Sequence, residues 1–219
     1  TDIGFDGSGD LDTAAIATHC GSANGYVVTW YDQSGNSNDA DQNTFADQPQ
    51  IYDGTTVTSR NGKPILTFVD ASDHLDTATV SLSGPHTAFA CAYNQNSFSA
   101  QLSLMYHSSG NYLWIYAVNK VQIQNGSEFV SASGSYGNNS AIISCVIDGS
   151  NSISRGKNSV EEQTATGTVT SRTITSIRLG AVTSGRETDV QEWILWNEAK
   201  DSTDRAAIET NINNYFSIY

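Results

Sequence analysis

The feature that most constrains this chain is a succession of short β-branched and aromatic runs separated by turn residues. Tyr26 to Tyr31, Ile65 to Val69, Thr87 to Tyr93, Leu102 to His107, Tyr112 to Val118, Ala141 to Ile147, Ile174 to Gly180 and Val190 to Trp196 each have strand length and strand composition. Between them lie Ser109-Gly110-Asn111, Asn125-Gly126 and Asp148-Gly149, residues that accept turn conformations at low cost. Helical signals occur only at the ends. Asp12 can cap a short helix over Thr13 to Ala17 that Gly21 stops. Near the C-terminus Ile208, Ile212, Tyr215 and Phe216 form one apolar face of a helix, with Ser202 as the expected N-cap and Asp204 in the first turn. Many strands with no interleaved helices predict an all-β sandwich with a short N-terminal helix and a C-terminal helix. No fixed-period repeat or linker divides the chain, so residues 1–219 are expected to form one domain. A chain that opens at Thr, without a signal peptide, is expected to be part of a longer or processed polypeptide.

Charge narrows the partners. Ten basic residues stand against twenty-three acidic ones, a net charge of −13, and no Lys/Arg cluster offers a phosphate-binding surface. Nucleic acid and anionic membrane surfaces are therefore disfavoured, whereas neutral glycans, cationic partners or bound Ca²⁺ are compatible. No apolar stretch approaches the roughly 20 residues that span a bilayer as a helix, which predicts no membrane insertion. Of the three cysteines, Cys91 and Cys145 sit in strand-like runs and read as buried thiols rather than a bridge, while Cys20 follows the first helix.

Several stretches resemble one family. Val28-Thr29-Trp30-Tyr31-Asp32-Gln33-Ser34-Gly35-Asn36 resembles the WYDQSGNGN signature of LamG-like, concanavalin A-like domains found in bacterial surface proteins and phage tail or fibre proteins. The same phrase occurs in the catalytic domain of arabinofuranosidase B enzymes. Asn61 to Phe68 followed by Asp70 to Leu75, and later Ile177 to Gly180 with Val190-Gln191-Glu192, are similar to further anchors in the same order. The resemblance implies a concanavalin A-like, two-sheet antiparallel jelly-roll sandwich, with the family's first strand or two absent before Thr1. Within the signature, Asp32 is placed to accept loop N–H groups around Ser34 and Asn36, a structural role.

The enzymatic side of the resemblance is not carried over. Lys120 stands where the arabinofuranosidase pattern has its nucleophile, Val118 replaces a neighbouring Asp, and the loop from Gly180 to Gly185 has no carboxylate. A retaining glycosidase needs two carboxyls about 5 Å apart. A second pattern, Glu187-x-Asp189-x-x-Glu192, resembles the E-x-D-x-x-E motif of concanavalin-fold β-glucanases. Glu187 and Asp189 share a strand face, and a bulge at Val190-Gln191 would return Glu192 to it. The rest of the resemblance explains the same residues as a closing strand.

For metal, the cluster Asp70, Asp73 and Asp76 is the candidate, since many laminin-type domains hold Ca²⁺ at a rim. Asp6, Ser8, Asp10 and Asp12 mimic the start of a calcium loop, but Leu11 stands where Gly is required. The four histidines, His19, His74, His86 and His107, lack zinc spacing. For glycan, Tyr106, His107, Tyr112, Trp114, Tyr116 and Gln122 combine aromatic platforms with planar polar groups. Alternation along Tyr112 to Tyr116 separates Tyr112, Trp114 and Tyr116 from Leu113 and Ile115, and an aliphatic core face would leave the aromatic stripe on the opposite surface. The expected function is a non-catalytic carbohydrate-binding attachment module of a virion (tail-fibre-like) or cell-surface protein. The alternatives are a structural decoration or adhesion domain making protein contacts only, and a glycoside hydrolase using Glu187 and Glu192. An extracellular, cell-surface or virion location follows from the first two readings.

Overall fold

Ala141–Ile147 (AIISCVI) is buried at every position, which a strand achieves only when both of its faces are covered. In a computed structural model of the chain, one face meets a second sheet and the other meets a helix. The structure describes residues 1–69, 72–77, 80, 84–94, 101–107, 112–117, 120–125, 128–133, 140–149, 152–158, 160–166, 176–181 and 188–219. Of these, 94, 101–107, 112–117, 120–125, 128–133, 152–157, 160–166 and 181 are described in their backbone alone.

In chain order the elements are α1 (Thr13–Cys20), β1 (Asn24–Tyr26), β2 (Thr29–Trp30), β3 (Ala40–Asp41), a single 3₁₀ turn (Phe45–Asp47), β4 (Gln50–Asp53), β5 (Ser59–Arg60), β6 (Lys63–Pro64), β7 (Leu66–Phe68), β8 (His74–Thr77), β9 (His86–Asn94), β10 (Gln101–His107), β11 (Tyr112–Ala117), β12 (Lys120–Asn125), β13 (Glu128–Ser133), β14 (Ala141–Ile147), β15 (Ser152–Lys157), β16 (Val160–Thr166), β17 (Ile177–Ala181), β18 (Thr188–Trp196) and α2 (Ser202–Phe216). Among the described residues two eight-stranded sheets form. The helix-backed sheet runs β1-β4-β7-β18-β9-β14-β15-β16, the second sheet runs β13-β12-β11-β10-β17-β8-β3-β2, and β5 and β6 pair as a small hairpin. Described ladders such as β9–β14, β10–β11 and β8–β17 are antiparallel.

The two cores follow from the strand period of two. Between the sheets, Phe68, Ala90, Ile143 and Val190 of the helix-backed sheet meet Leu75, Ile177 and Leu179 of the second. On the other side, Phe89, Cys91 and Ile142 pack against Ile212 and Phe216 of α2. Phe89 and Ile142 are each 0 % exposed, and a side chain buried to that degree contributes about 1.5–3 kcal/mol. Glu209 of α2 is also buried and accepts from the Ser144 hydroxyl at 2.9 Å, which fixes the helix on the sheet.

Three details depart from the sequence expectations. Tyr26 to Tyr31 is not one strand. Tyr26 ends β1 in the helix-backed sheet and Thr29 begins β2 in the second, because Val27 donates to Pro49 while Val28 accepts from Gln42 as the chain crosses between layers. The N-cap of α2 is Asp201 rather than Ser202, since the Asp201 carboxylate accepts from the N–H groups of Thr203 and Asp204 at 2.8 and 2.9 Å. Tyr215 leaves the apolar face of α2 and is 44 % exposed; its hydroxyl donates to Asp10, and Lys63 lies over its ring. The three cysteines are free thiols.

Candidate functional site

The outward face of the second sheet carries an ordered polar row. In β8 and β17, Leu75, Thr77, Ile177 and Leu179 are buried, so the residues between them, Asp76 and Arg178, fall on the opposite face. The ladders extend this row across all eight strands, pairing Thr29 with Asp41, Asp41 with Asp76, Asp76 with Arg178, Arg178 with Tyr106, Tyr106 with Leu113, Leu113 with Gln124 and Gln124 with Phe129. A neighbouring row on the same face joins His74, Gly180, Ser103, Ile115, Gln122 and Ser131.

Hydrogen bonds hold Arg178, Asp76, His74 and Gln42 in place on this face. Arg178 donates from Nε to Asp76 Oδ1 at 2.8 Å and from Nη2 to Oδ2 at 2.7 Å, a two-pronged pair. The partners are 41 and 42 % exposed, so the pair adds on the order of 1 kcal/mol or less to stability. Its consequence is placement of charge on an open surface. His74 donates from Nδ1 to the Ser72 carbonyl at 2.5 Å, which leaves Nε2 as the acceptor for the Gln42 amide at 2.7 Å. The orientation of that amide is set on its other side, where Gln42 Oε1 accepts from Thr44 N–H at 2.8 Å. The imidazole is thereby assigned as the neutral Nδ1–H form, with Nε2 3.6 Å from Asp76 Oδ2. Asp41 stands opposite Asp76 and Thr29 in the ladders, and among the described residues no donor is bonded to its carboxylate. Gly180 makes the close approach of β17 to β8 possible. At φ +134°, a Cβ there would lie 2.4 Å from the Asp73 carbonyl oxygen and 2.9 Å from the His74 Cα.

The register divides the glycan candidates read from the sequence. Positions 106 and 122 share the face of Arg178 and Asp76. Positions 107, 112, 114 and 116 alternate to the face shared with Leu179 and Leu75, while Leu113 and Ile115 occupy outward rows. The side chains of Tyr106, His107, Tyr112, Trp114, Tyr116 and Gln122 lie outside the described residues.

Of the metal candidates, Asp70 lies outside the described residues. Asp73 is 4 % exposed and its carboxylate accepts from the Val69 N–H at 2.6 Å, whereas Asp76 faces outward to Arg178. Among the described residues no three His, Cys, Asp or Glu side chains converge as metal ligands. Asp32 accepts from the N–H groups of Ser34 and Asn38 at 2.8 and 2.9 Å and from the Ser34 hydroxyl at 2.8 Å. Burial raises its pKa, but these hydrogen bonds outweigh burial and hold it below the usual Asp value. Ser34 in turn accepts from the Asn36 amide at 2.9 Å.

The acidic pattern at the end of the chain has a different setting. β18 carries a bulge between Val190 and Glu192, so Val190 opposes Ala92 and Glu192 opposes Cys91. This brings Asp189 and Glu192 to the face of the sheet that α2 covers. Asp189 is 1 % exposed and is held by Arg60, whose Nε and Nη2 both lie 3.1 Å from Oδ2, and by the Thr67 hydroxyl at 2.9 Å. Gln191 donates to the carbonyls of Arg60 and Lys63 at 3.1 and 3.3 Å, fastening the β5–β6 hairpin to the sheet. Burial raises the pKa of Glu192. Glu187 lies outside the described residues.

The polar groups of this face that sequence reasoning missed as site residues are Asp41, Gln42, His74 and Arg178. Arg178 did carry a signal, since a cation between Ile177 and Leu179 in a strand must face away from the core. Its partner is 102 residues away in the chain and leaves no local mark.

The sequence matches no protein-family model and no curated protein. Its fold is similar to several solved binding domains. One is the binding domain of Paraclostridial Mosquitocidal Protein 1, at a TM-score of 0.66 and 10 % identity over 84 % of this chain and 49 % of that one. Another is the ligand-binding domain of botulinum neurotoxin serotype D in complex with N-acetylneuraminic acid, at 0.61 and 6 % identity over 85 % of this chain and 50 % of that one. A third is a structure of botulinum neurotoxin type C, whose uptake into cells depends on interaction with two ganglioside molecules, at 0.58 and 9 % identity over 85 % and 51 %. The chain spans about half the length of these structures. At such identities the likeness is one of fold.

Proposed function

We propose that this chain is a non-catalytic glycan-recognition module of an extracellular protein, cell-surface or virion-borne, and that the outward face of the second sheet is its binding surface. The observation that carries this reading is the row Asp41–Asp76–Arg178, in which two hydrogen bonds fix Asp76 and Arg178, flanked by His74 and continued by position 106 in the ladder. Sugars present rings of hydroxyls that both donate and accept, and recognising them takes pre-positioned carboxylates, amides and guanidinium groups beside an aromatic platform. A bidentate pair that adds little to stability, on a face that α2 leaves uncovered, suits that task. The similar toxin domains, one solved with N-acetylneuraminic acid and one dependent on gangliosides, support the reading by fold.

A glycan array probed with the purified chain and with Arg178→Ala tests it. Saturable binding that Arg178→Ala weakens by tenfold or more is the expected result. An array blank for the folded wild-type chain would overturn it in favour of a module making protein contacts only. That second reading has its own footing in Phe45, 71 % exposed and packed edge-on against Tyr26 with ring centroids 5.1 Å apart.

A further inference from the structure

Resting on that reading, we infer that the ligand of the Asp41–Asp76–Arg178 row is an uncharged glycan bound through its hydroxyl donors, rather than a sialylated or sulfated one. The row contains two carboxylates and one guanidinium. Asp41 and Asp76 stand directly opposite one another in the β3–β8 ladder, and Arg178 is committed to Asp76 through two hydrogen bonds. Directly opposed residues place their Cβ atoms about 5 Å apart, where like charges repel. An anionic sugar would meet a guanidinium whose charge Asp76 already balances, with the Asp41 carboxylate as an added negative charge opposite it. Asp41 has no bonded donor among the described residues, and its oxygens are assigned as acceptors for glycan hydroxyls.

Among the described side chains of the face, none adds a second cation beside Arg178. His74 is uncharged as hydrogen-bonded, with Nδ1–H given to Ser72 and Nε2 filled by Gln42. Gln42 in turn spends its amide on His74 and Thr44. Around the Asp41–Asp76–Arg178 row the surplus among the described groups is of acceptors, complementary to a donor-rich, uncharged partner such as a pyranose diol. The net charge of −13 adds a long-range repulsion against anionic glycans at low salt.

The test compares neutral oligosaccharides with their sialylated and sulfated forms, at low and high NaCl, with and without EDTA, on wild type, Asp41→Asn and Arg178→Ala. Circular dichroism confirms that each variant is folded. The inference expects neutral glycans to bind at least tenfold more tightly than their anionic forms. Asp41→Asn should weaken neutral binding by about tenfold, in line with loss of a charge-assisted hydrogen bond. Neutral binding should be insensitive to NaCl and to EDTA. Preferential binding of sialylated or sulfated glycans, weakened by salt and by Arg178→Ala, would overturn the inference while leaving glycan recognition standing. Binding abolished by EDTA would reassign the paired carboxylates to a bridging cation and also overturn it. Absence of binding to every glycan would refute the recognition reading itself.

Discussion

Replacing Arg60 by Ala should destabilise the fold by about 3 kcal/mol. Asp189 is 1 % exposed, and both of the guanidinium nitrogens that hold it lie 3.1 Å from Oδ2. Removing one member of a buried pair costs roughly 3–5 kcal/mol, because the remaining charge is left in a poorly solvated site. Two features place Arg60→Ala at the lower end of that range. The Arg60 side chain is itself 33 % exposed, and the Thr67 hydroxyl still donates to Asp189 after the change. Loss of the guanidinium from above the Tyr93 ring, where it sits 3.8 Å from the centroid, adds on the order of 0.5–1 kcal/mol within this total. Adding Asp189→Asn to Arg60→Ala removes the stranded charge and should recover about 1–2 kcal/mol. Urea unfolding followed by Trp fluorescence, with an unchanged m-value, reads both effects. A loss below about 1 kcal/mol, or no recovery in the double variant, would refute the assignment of Asp189 as one half of a buried structural ion pair.

Three further outcomes follow from the same structure. Gly180→Ala should cost about 2 kcal/mol, since the new Cβ would meet backbone at 2.4 Å and φ is positive there; a calorimetric Tm lower by roughly 4–8 °C is expected, and an unchanged Tm would contradict the close approach. Asp201→Ala should cost about 1 kcal/mol and Ser202→Ala under about 0.5 kcal/mol in the same unfolding assay, and the reverse order would return the cap to Ser202. Burial raises the folded-state pKa of Glu192, so the stability it allows is fully present below the unfolded value near about 4.3 and is lost as pH rises through the higher folded value. Glu192→Gln should therefore be more stable than wild type at neutral pH, with the gap closing in acid, and a gap independent of pH would contradict the burial of that carboxyl.

The sandwich was legible because its central strands are buried twice over. Ala141–Ile147 stands between the second sheet and α2 and so reads as a continuous apolar run, and Phe89 and Cys91 alternate with Ala88 and Ala90 for the same reason. Ser152–Lys157 and Val160–Thr166 at the far end of that sheet carry mostly polar residues and gave no strand signal. The run from Tyr26 to Tyr31 hid a change of sheet, which depends on the distant partners Pro49 and Gln42. For the site, alternation along Tyr112 to Tyr116 defines two faces but not which of them is outward. That is settled by register, and the β10 ladders shift between Ser103 and Tyr106. Pairing Asp76 with Arg178 needs the whole β8–β17 ladder, which no local spacing encodes.

The most direct test of the account is a two-dimensional amide NMR titration with the tightest-binding glycan from the array. Recognition by the outward face of the second sheet predicts shifts concentrated at Asp41, His74–Thr77, Gln101–His107 and Ile177–Ala181, with α2 and the β5–β6 hairpin unmoved. Shifts confined to the helix-backed sheet and α2, with Asp76 and Arg178 silent, would contradict it.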